Sequence, residues 1–132
     1  AIHFSGKWEE LGQRKPVLCK RVVTAVEGVL AEHGYGYGVQ VFQNLLMEEF
    51  RFLNTSAIKP VLSPKYGGLA LESREINCLL VHAELLVAVS ASAHDASSSD
   101  LAYLKSYMKQ AGSSCGVLID IGNADIQLKG IL

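Results

Sequence analysis

Residues 75–92 read Glu-Ile-Asn-Cys-Leu-Leu-Val-His-Ala-Glu-Leu-Leu-Val-Ala-Val-Ser-Ala-Ser, two β-type runs that meet at His82-Ala83. Neither run alternates cleanly between apolar and polar residues. A nearly continuous apolar run predicts a strand covered on both faces rather than one that wets a face, and the short polar junction predicts a hairpin. The rest of the chain must therefore supply cover for two sides of a sheet.

Downstream, residues 94–99 are polar and end in a serine run. Ser97 or Ser98 can cap a helix that carries Asp100 in its first turn, where the positive helix end favours an acid. Leu101, Leu104, Tyr107, Met108 and Ala111 form the apolar stripe of that helix, and Gly112 stops it. Strands over 116–121 and 126–132 follow. Upstream, Leu18, Val22, Val26, Val29 and Leu30 recur every three to four residues, which predicts a helix over 17–33 with Pro16 in its first turn and Gly34 as a left-handed cap. A second helix spans 39–53 and breaks at Asn54-Thr55-Ser56. Residues 58–62 contain Pro60 and read as an edge piece. A turn over 64–68 and a strand over 69–73 complete the middle. Residues 1–16 show no period and are expected to form an arm that docks through Ile2, Phe4 and Trp8 onto a domain of residues 17–132. The expected class is α/β, a mixed sheet flanked by helices on both faces, in the order ααβββαββ.

Composition narrows the function. The chain has 132 residues, 49% of them hydrophobic and 19% charged, which is globular and enough for one core. Its longest apolar runs, 79–81 and 85–89, are far too short to span a bilayer. The net charge of −1 lacks the basic excess of a protein whose main work is gripping phosphate backbones. Only Arg14, Lys15, Lys20 and Arg21 form a local basic cluster. Cys19, Cys78 and Cys115 are far apart, form no CxxC pair, and read as small core residues suited to a reducing compartment. His3, His33, His82 and His94 have no partner at metal-ligand spacing. The glycines of Gly34-Tyr35-Gly36-Tyr37-Gly38 follow no strand and precede no Lys-Ser/Thr, so they form a helix–helix turn rather than a phosphate cradle.

Five phrases taken together carry a family resemblance: 34–42 (Gly-Tyr-Gly-Tyr-Gly-Val-Gln-Val-Phe), 75–80, 85–90, 99–105 and 116–123. Over residues 17–132 they resemble the GxxExxY family, a branch of the PD-(D/E)XK (restriction-endonuclease-like) nuclease superfamily. The resemblance implies a nuclease site in which carboxylates hold Mg²⁺, a hard cation that wants oxygen ligands, while a lysine helps the attacking water. It also implies which positions should carry that site. The Glu and Tyr of the naming motif fall on Val39 and Phe42, and the metal-binding Asp on Asn77. The Glu and Lys of Glu-x-Lys fall on Ala88 and Ser90, and the Gln of the following helix on Ser99. Val39 and Ala88 offer no ligand atom, Asn77 has no charge, and Ser90 is short and neutral.

The expectation is therefore a nuclease-like domain without cleavage, cofactor or metal, retained as a structural or protein-interaction subunit. Its partners are other protein subunits, and its setting is a larger, organellar assembly of the mitochondrial matrix or else the cytoplasm; the chain's start at Ala1 rather than Met motivates the organellar reading. Tyr35, Tyr37, Phe50, Phe52 and Tyr66 exceed what one small core needs and are candidate interface anchors. A second reading is a nucleic-acid-binding module in which Arg14, Lys15, Lys20, Arg21, Tyr35 and Tyr37 line one face. A third is a Mg²⁺-dependent nuclease with migrated ligands, Glu75 with Asn77. Asp120 is read as an edge or solvent-facing residue.

Overall fold

In the computed structural model, residues 1–62, 65–66, 69–70, 74–75, 78–91, 98–122 and 124–132 are described. The apolar spacing of the first half produces two long helices, α2 (Pro16–His33) and α3 (Val39–Phe52), preceded by a strand and a short helix, β1 (Ile2–Gly6) and α1 (Trp8–Arg14). Pro16 sits at the start of α2, where its missing N–H costs nothing. Gly34 follows α2 with φ 74° and ψ −155°. Its φ is positive as expected, but its ψ is extended rather than left-handed helical, a region open essentially to glycine alone.

The sheet comes next. After β2 (Ala57–Ile58), β3 (Val61–Leu62), β4 (Lys65–Tyr66), β5 (Leu69–Ala70) and β6 (Arg74–Glu75), the long strands are β7 (Cys78–Val81), β8 (Leu85–Ser90), β9 (Cys115–Asp120) and β10 (Ile126–Ile131), with α4 (Ser98–Ala111) between β8 and β9. Six strands form one mixed sheet in the order β1-β10-β9-β8-β7-β2. The pairs β3–β6 and β4–β5 are separate and nest inside the β2–β7 pair in sequence. The break at Pro60 separates β2 from β3, as proline's missing donor requires.

Two cores sandwich the sheet. Leu79, Val81, Leu85, Val87, Val89, Val117, Ile119 and Leu128 meet Val22, Val26, Val29, Phe42, Leu46 and Phe50 from α2 and α3 on one face. Cys78, Leu86, Leu118 and Ile131 meet Leu104 and Met108 from α4 on the other. Burial of β8 and β9 on both sides explains why their sequence does not alternate. Gly116 lets α4 approach closely: a Cβ there would meet Met108 Sδ at 2.7 Å.

The expected class, an α/β mixed sheet with helices on both faces, holds. Residues 1–16, expected as a docking arm with no period, take regular structure, and Ile2 and Trp8 pack against the main core. Residues 2–6 form an edge strand of the main sheet, parallel to β10 with Ile2 opposite Ile126 and Gly6 opposite Gly130, and residues 8–14 are helical. An edge strand buries little, so Ile2 and Ser5 are half-buried while His3 and Phe4 are exposed, and no period marks it. Lys7 N–H donates to the Gly130 carbonyl at 2.7 Å. A Cβ on Gly130 would lie 2.5 Å from Trp8 N, so only glycine admits the crossing chain.

The β7–β8 hairpin forms where expected, with His82 and Ala83 both at positive φ (52° and 56°) and Glu84 N–H donating to Val81 O at 3.1 Å. Such a turn favours Asn-Gly, and a non-glycine residue in left-handed geometry costs roughly 1–2 kcal/mol. Two outcomes are expected in urea unfolding. Gly130→Ala should destabilise the chain by about 2 kcal/mol or more, through backbone overpacking. Ala83→Gly should stabilise it by about 0.5–1 kcal/mol, the relief of turn strain exceeding the entropy that glycine adds to the unfolded chain.

Candidate binding groove

Chain direction decides where the site residues gather. β8 and β9 run parallel, pairing Leu85 with Cys115 at one end and Ser90 with Asp120 at the other. Parallel neighbours need a crossover, which α4 supplies by packing along the same face of both strands. Its first turns overhang the Ser90–Asp120 end and enclose a cavity of about 160 Å³ lined by Ala88, Val89, Ser90, Asp100, Tyr103, Leu104, Tyr107 and Leu118.

Within it, Ser90 Oγ donates to Asp100 Oδ2 at 3.1 Å, tying the first turn of α4 to the end of β8. Tyr103 and Tyr107, one turn apart on α4, stack with ring centroids 6.3 Å apart and planes at 24°. Tyr103 is 60% exposed and forms the outer wall. Asp120 is not the solvent-facing residue expected: only 3% of it is exposed. α4 covers its face of the sheet, its Oδ1 accepts the Gly122 N–H at 2.9 Å, and Ile121 N–H donates to Ser90 O at 2.8 Å, closing the strand ends together.

The remaining site candidates separate. Ala88 packs in the α4-side core, whereas Val39 packs against the core under α2 and α3, so the sheet lies between them. The residue paired with Ala88 across the β7–β8 ladder is Cys78, and both belong to the α4-side core. Asn77 and the side chains of Ser99, Glu75 and Tyr66 lie outside the described residues, as does all of His94.

Lys15 Nζ pairs with Glu84 Oε2 at 3.2 Å, at the Leu85–Cys115 end of the sheet. Arg14 ends α1 there, and Lys20 and Arg21 lie in the first half of α2. Tyr35 and Tyr37 cluster with Ile121 and Ile126, at the other end of β9. Six residues of strand, about 17 Å, separate the Lys15 end from the tyrosines. Among the exposed-aromatic candidates, Tyr35, Tyr37 and Phe52 are exposed, while Phe50 is fully buried.

Burial dominates the thiols. It pushes Cys78 up to about 12, and pushes Cys19 up to about 11 with a smaller contribution from Cys115. Cys115 is also raised by burial, opposed by Lys15 and Arg14. All three are free and buried. At the two positions that the resemblance assigns to Glu-x-Lys, Ala88 presents a methyl and Ser90 a hydroxyl, neither of which is a charged oxygen ligand for Mg²⁺. Among the described residues, no group of three or more His, Cys, Asp or Glu side chains is placed to hold a metal ion. No described helix is long and apolar enough to cross a membrane.

A family model of the PD-(D/E)XK nuclease superfamily matches residues 16–130, and the chain belongs to that superfamily. The six-stranded mixed sheet with four flanking helices is consistent with a restriction-endonuclease-like fold. Comparisons with curated proteins and with solved structures give no match.

The thiols give a pH signature. Below pH 9, the ordinary thiol value, both folded and unfolded thiols are protonated and the contribution to stability is intact. Above it the unfolded chain ionises first, so stability falls as pH rises from about 9 towards 12, by about 1.4 kcal/mol per pH unit per thiol. Urea unfolding between pH 7 and 11 should show this loss, with a shallower slope in Cys78→Ala. Thiol reagents at pH 8 should label the unfolded chain and leave the native one largely unmodified.

Proposed function

We propose that this domain is a nuclease fold that no longer cleaves nucleic acid and works as a protein-interaction subunit of a larger assembly, a degenerate member of the GxxExxY branch. The observation that supports the reading is that Ala88 and Ser90, which line the groove under α4, carry no charge. Where the superfamily's chemistry needs a carboxylate and a lysine, the positions that the resemblance assigns present a methyl and a short hydroxyl. Exposed Tyr35, Tyr37, Phe52 and Tyr103 supply anchors of the kind enriched at protein interfaces. The modest charge and the separation of Arg14 and Lys15 from Tyr35 and Tyr37 favour protein partners over nucleic acid. Buried free thiols fit a reducing compartment.

A nuclease with migrated ligands is the second reading, and one observation favours it: Asp100 and Asp120 flank Ser90 from α4 and β9. The two readings part in a cleavage assay on duplex DNA, single-stranded DNA and RNA with Mg²⁺ or Mn²⁺. No cleavage above the metal-free background is expected. Metal-dependent cleavage abolished by Asp120→Asn would establish the migrated site instead. Gentle purification of the tagged protein, with mass spectrometry of what accompanies it, is expected to recover a stoichiometric, salt-resistant set of proteins.

A further inference from the structure

We propose that β1 pairs antiparallel with β1 of a second copy of this chain, joining two sheets across a two-fold axis at Phe4; the inference goes beyond the interaction-subunit reading and does not rest on it. β1 is one edge of the six-stranded sheet and β2 the other. The two edges differ in kind. β2 has two residues, and Lys59 and Pro60 follow it directly, a charge and a missing donor of the sort that keeps an edge from pairing. β1 has five residues, Ile-His-Phe-Ser-Gly, without proline, lysine or acid among them. Its outer row of N–H and C=O groups is a template for another strand.

Hydrogen-bond phase and charge select the occupant. Ile126 N–H donates to Ala1 O at 3.2 Å and Lys7 N–H to Gly130 O at 2.7 Å, so the odd-numbered residues turn their backbone groups towards β10. These directions alternate along a strand, and Ile2 and Phe4 turn theirs outward. An antiparallel copy centred on Phe4 sets Phe4 opposite Phe4 as a pair that exchanges both N–H···O bonds, with Ile2 facing Gly6 on either side. That register repeats under a two-fold rotation, as a self-complementary contact must. Phe4 is 49% exposed and stacks on Trp8 with ring centroids 5.0 Å apart, so aromatic surface of both copies meets across the axis. The charges agree with the same direction. Asp125, contacted by His3 Nε2 at 3.3 Å, stands at the Ile2 end of the strand, and Lys7, whose ion pair with Glu10 is exposed, stands at the Gly6 end. Antiparallel pairing brings the acidic end of one copy to the basic end of the other, whereas a parallel pair would set like beside like. A contact of one strand is small, so the dimer is weak, with a Kd on the order of 10–100 μM.

The test is sedimentation velocity of the chain over about 5–500 μM, where a monomer passing to a dimer is expected. Phe4→Pro removes the outward N–H and leaves the bonds to β10, while Phe4→Lys keeps the backbone and sets two ammonium groups opposite each other. Each should raise the dimer Kd by about tenfold or more, with the amide signals of β10 unchanged. In a mixture of isotope-labelled and unlabelled chains, intermolecular NOEs between Phe4 rings are expected, and these report the register without any substitution. A monomer throughout the range, a dimer that Phe4→Lys leaves intact, or intermolecular NOEs that lie away from β1 overturns the inference.

Discussion

Everything in this fold is hung on the pairing of β8, which hydrogen-bonds antiparallel to β7 on one side and parallel to β9 on the other. The antiparallel pair needs only a turn. The parallel pair cannot be closed without a crossover, and that crossover is α4. Once α4 exists it buries one face of the sheet, while α2 and α3 bury the other, so β8 and β9 are dry on both sides. The groove follows from the same constraint, because α4 must start where the path from β8 returns to the sheet, beside the ends of the two parallel strands. Ser90, Asp100 and Asp120 therefore meet although they come from three separate elements.

The same geometry separates fold from chemistry. The β7–β8–β9 ladder sets Cys78 opposite Ala88 and Ser90 opposite Asp120. The residues at those positions are those of a core. A buried thiol, a methyl and a short hydroxyl stabilise a packed interior, whereas carboxylates there would repel each other unless a metal sat between them. The packing of this sheet does not depend on charged groups at those positions.

Much of the architecture was legible because burial writes itself into periodicity. α2, α3 and α4 show helical spacing, and the hairpin at His82-Ala83 lies between two apolar runs. What escaped has a physical reason in each case. β1 is an edge strand whose partner, β10, lies at the far end of the sequence, and half-buried edges leave no alternation to read. Asp120 sits in the run Leu-Ile-Asp-Ile, and its burial depends on α4 covering its face, a long-range fact; the unbroken apolar flanks were the only local hint. Tyr103 lies outside the apolar stripe through Leu104 and Met108, and only its spacing of four from Tyr107 hinted at a shared wall.

The central proposal, that the groove beside Ser90 holds no divalent metal, is tested most directly by Mn²⁺ titration of the labelled protein, reading paramagnetic broadening at Ser90, Asp100 and Asp120. The expected result at millimolar Mn²⁺ is no saturable broadening at these residues in the wild-type chain. Saturable broadening centred on them, competed by Mg²⁺, would contradict the account and return the domain to the working nucleases.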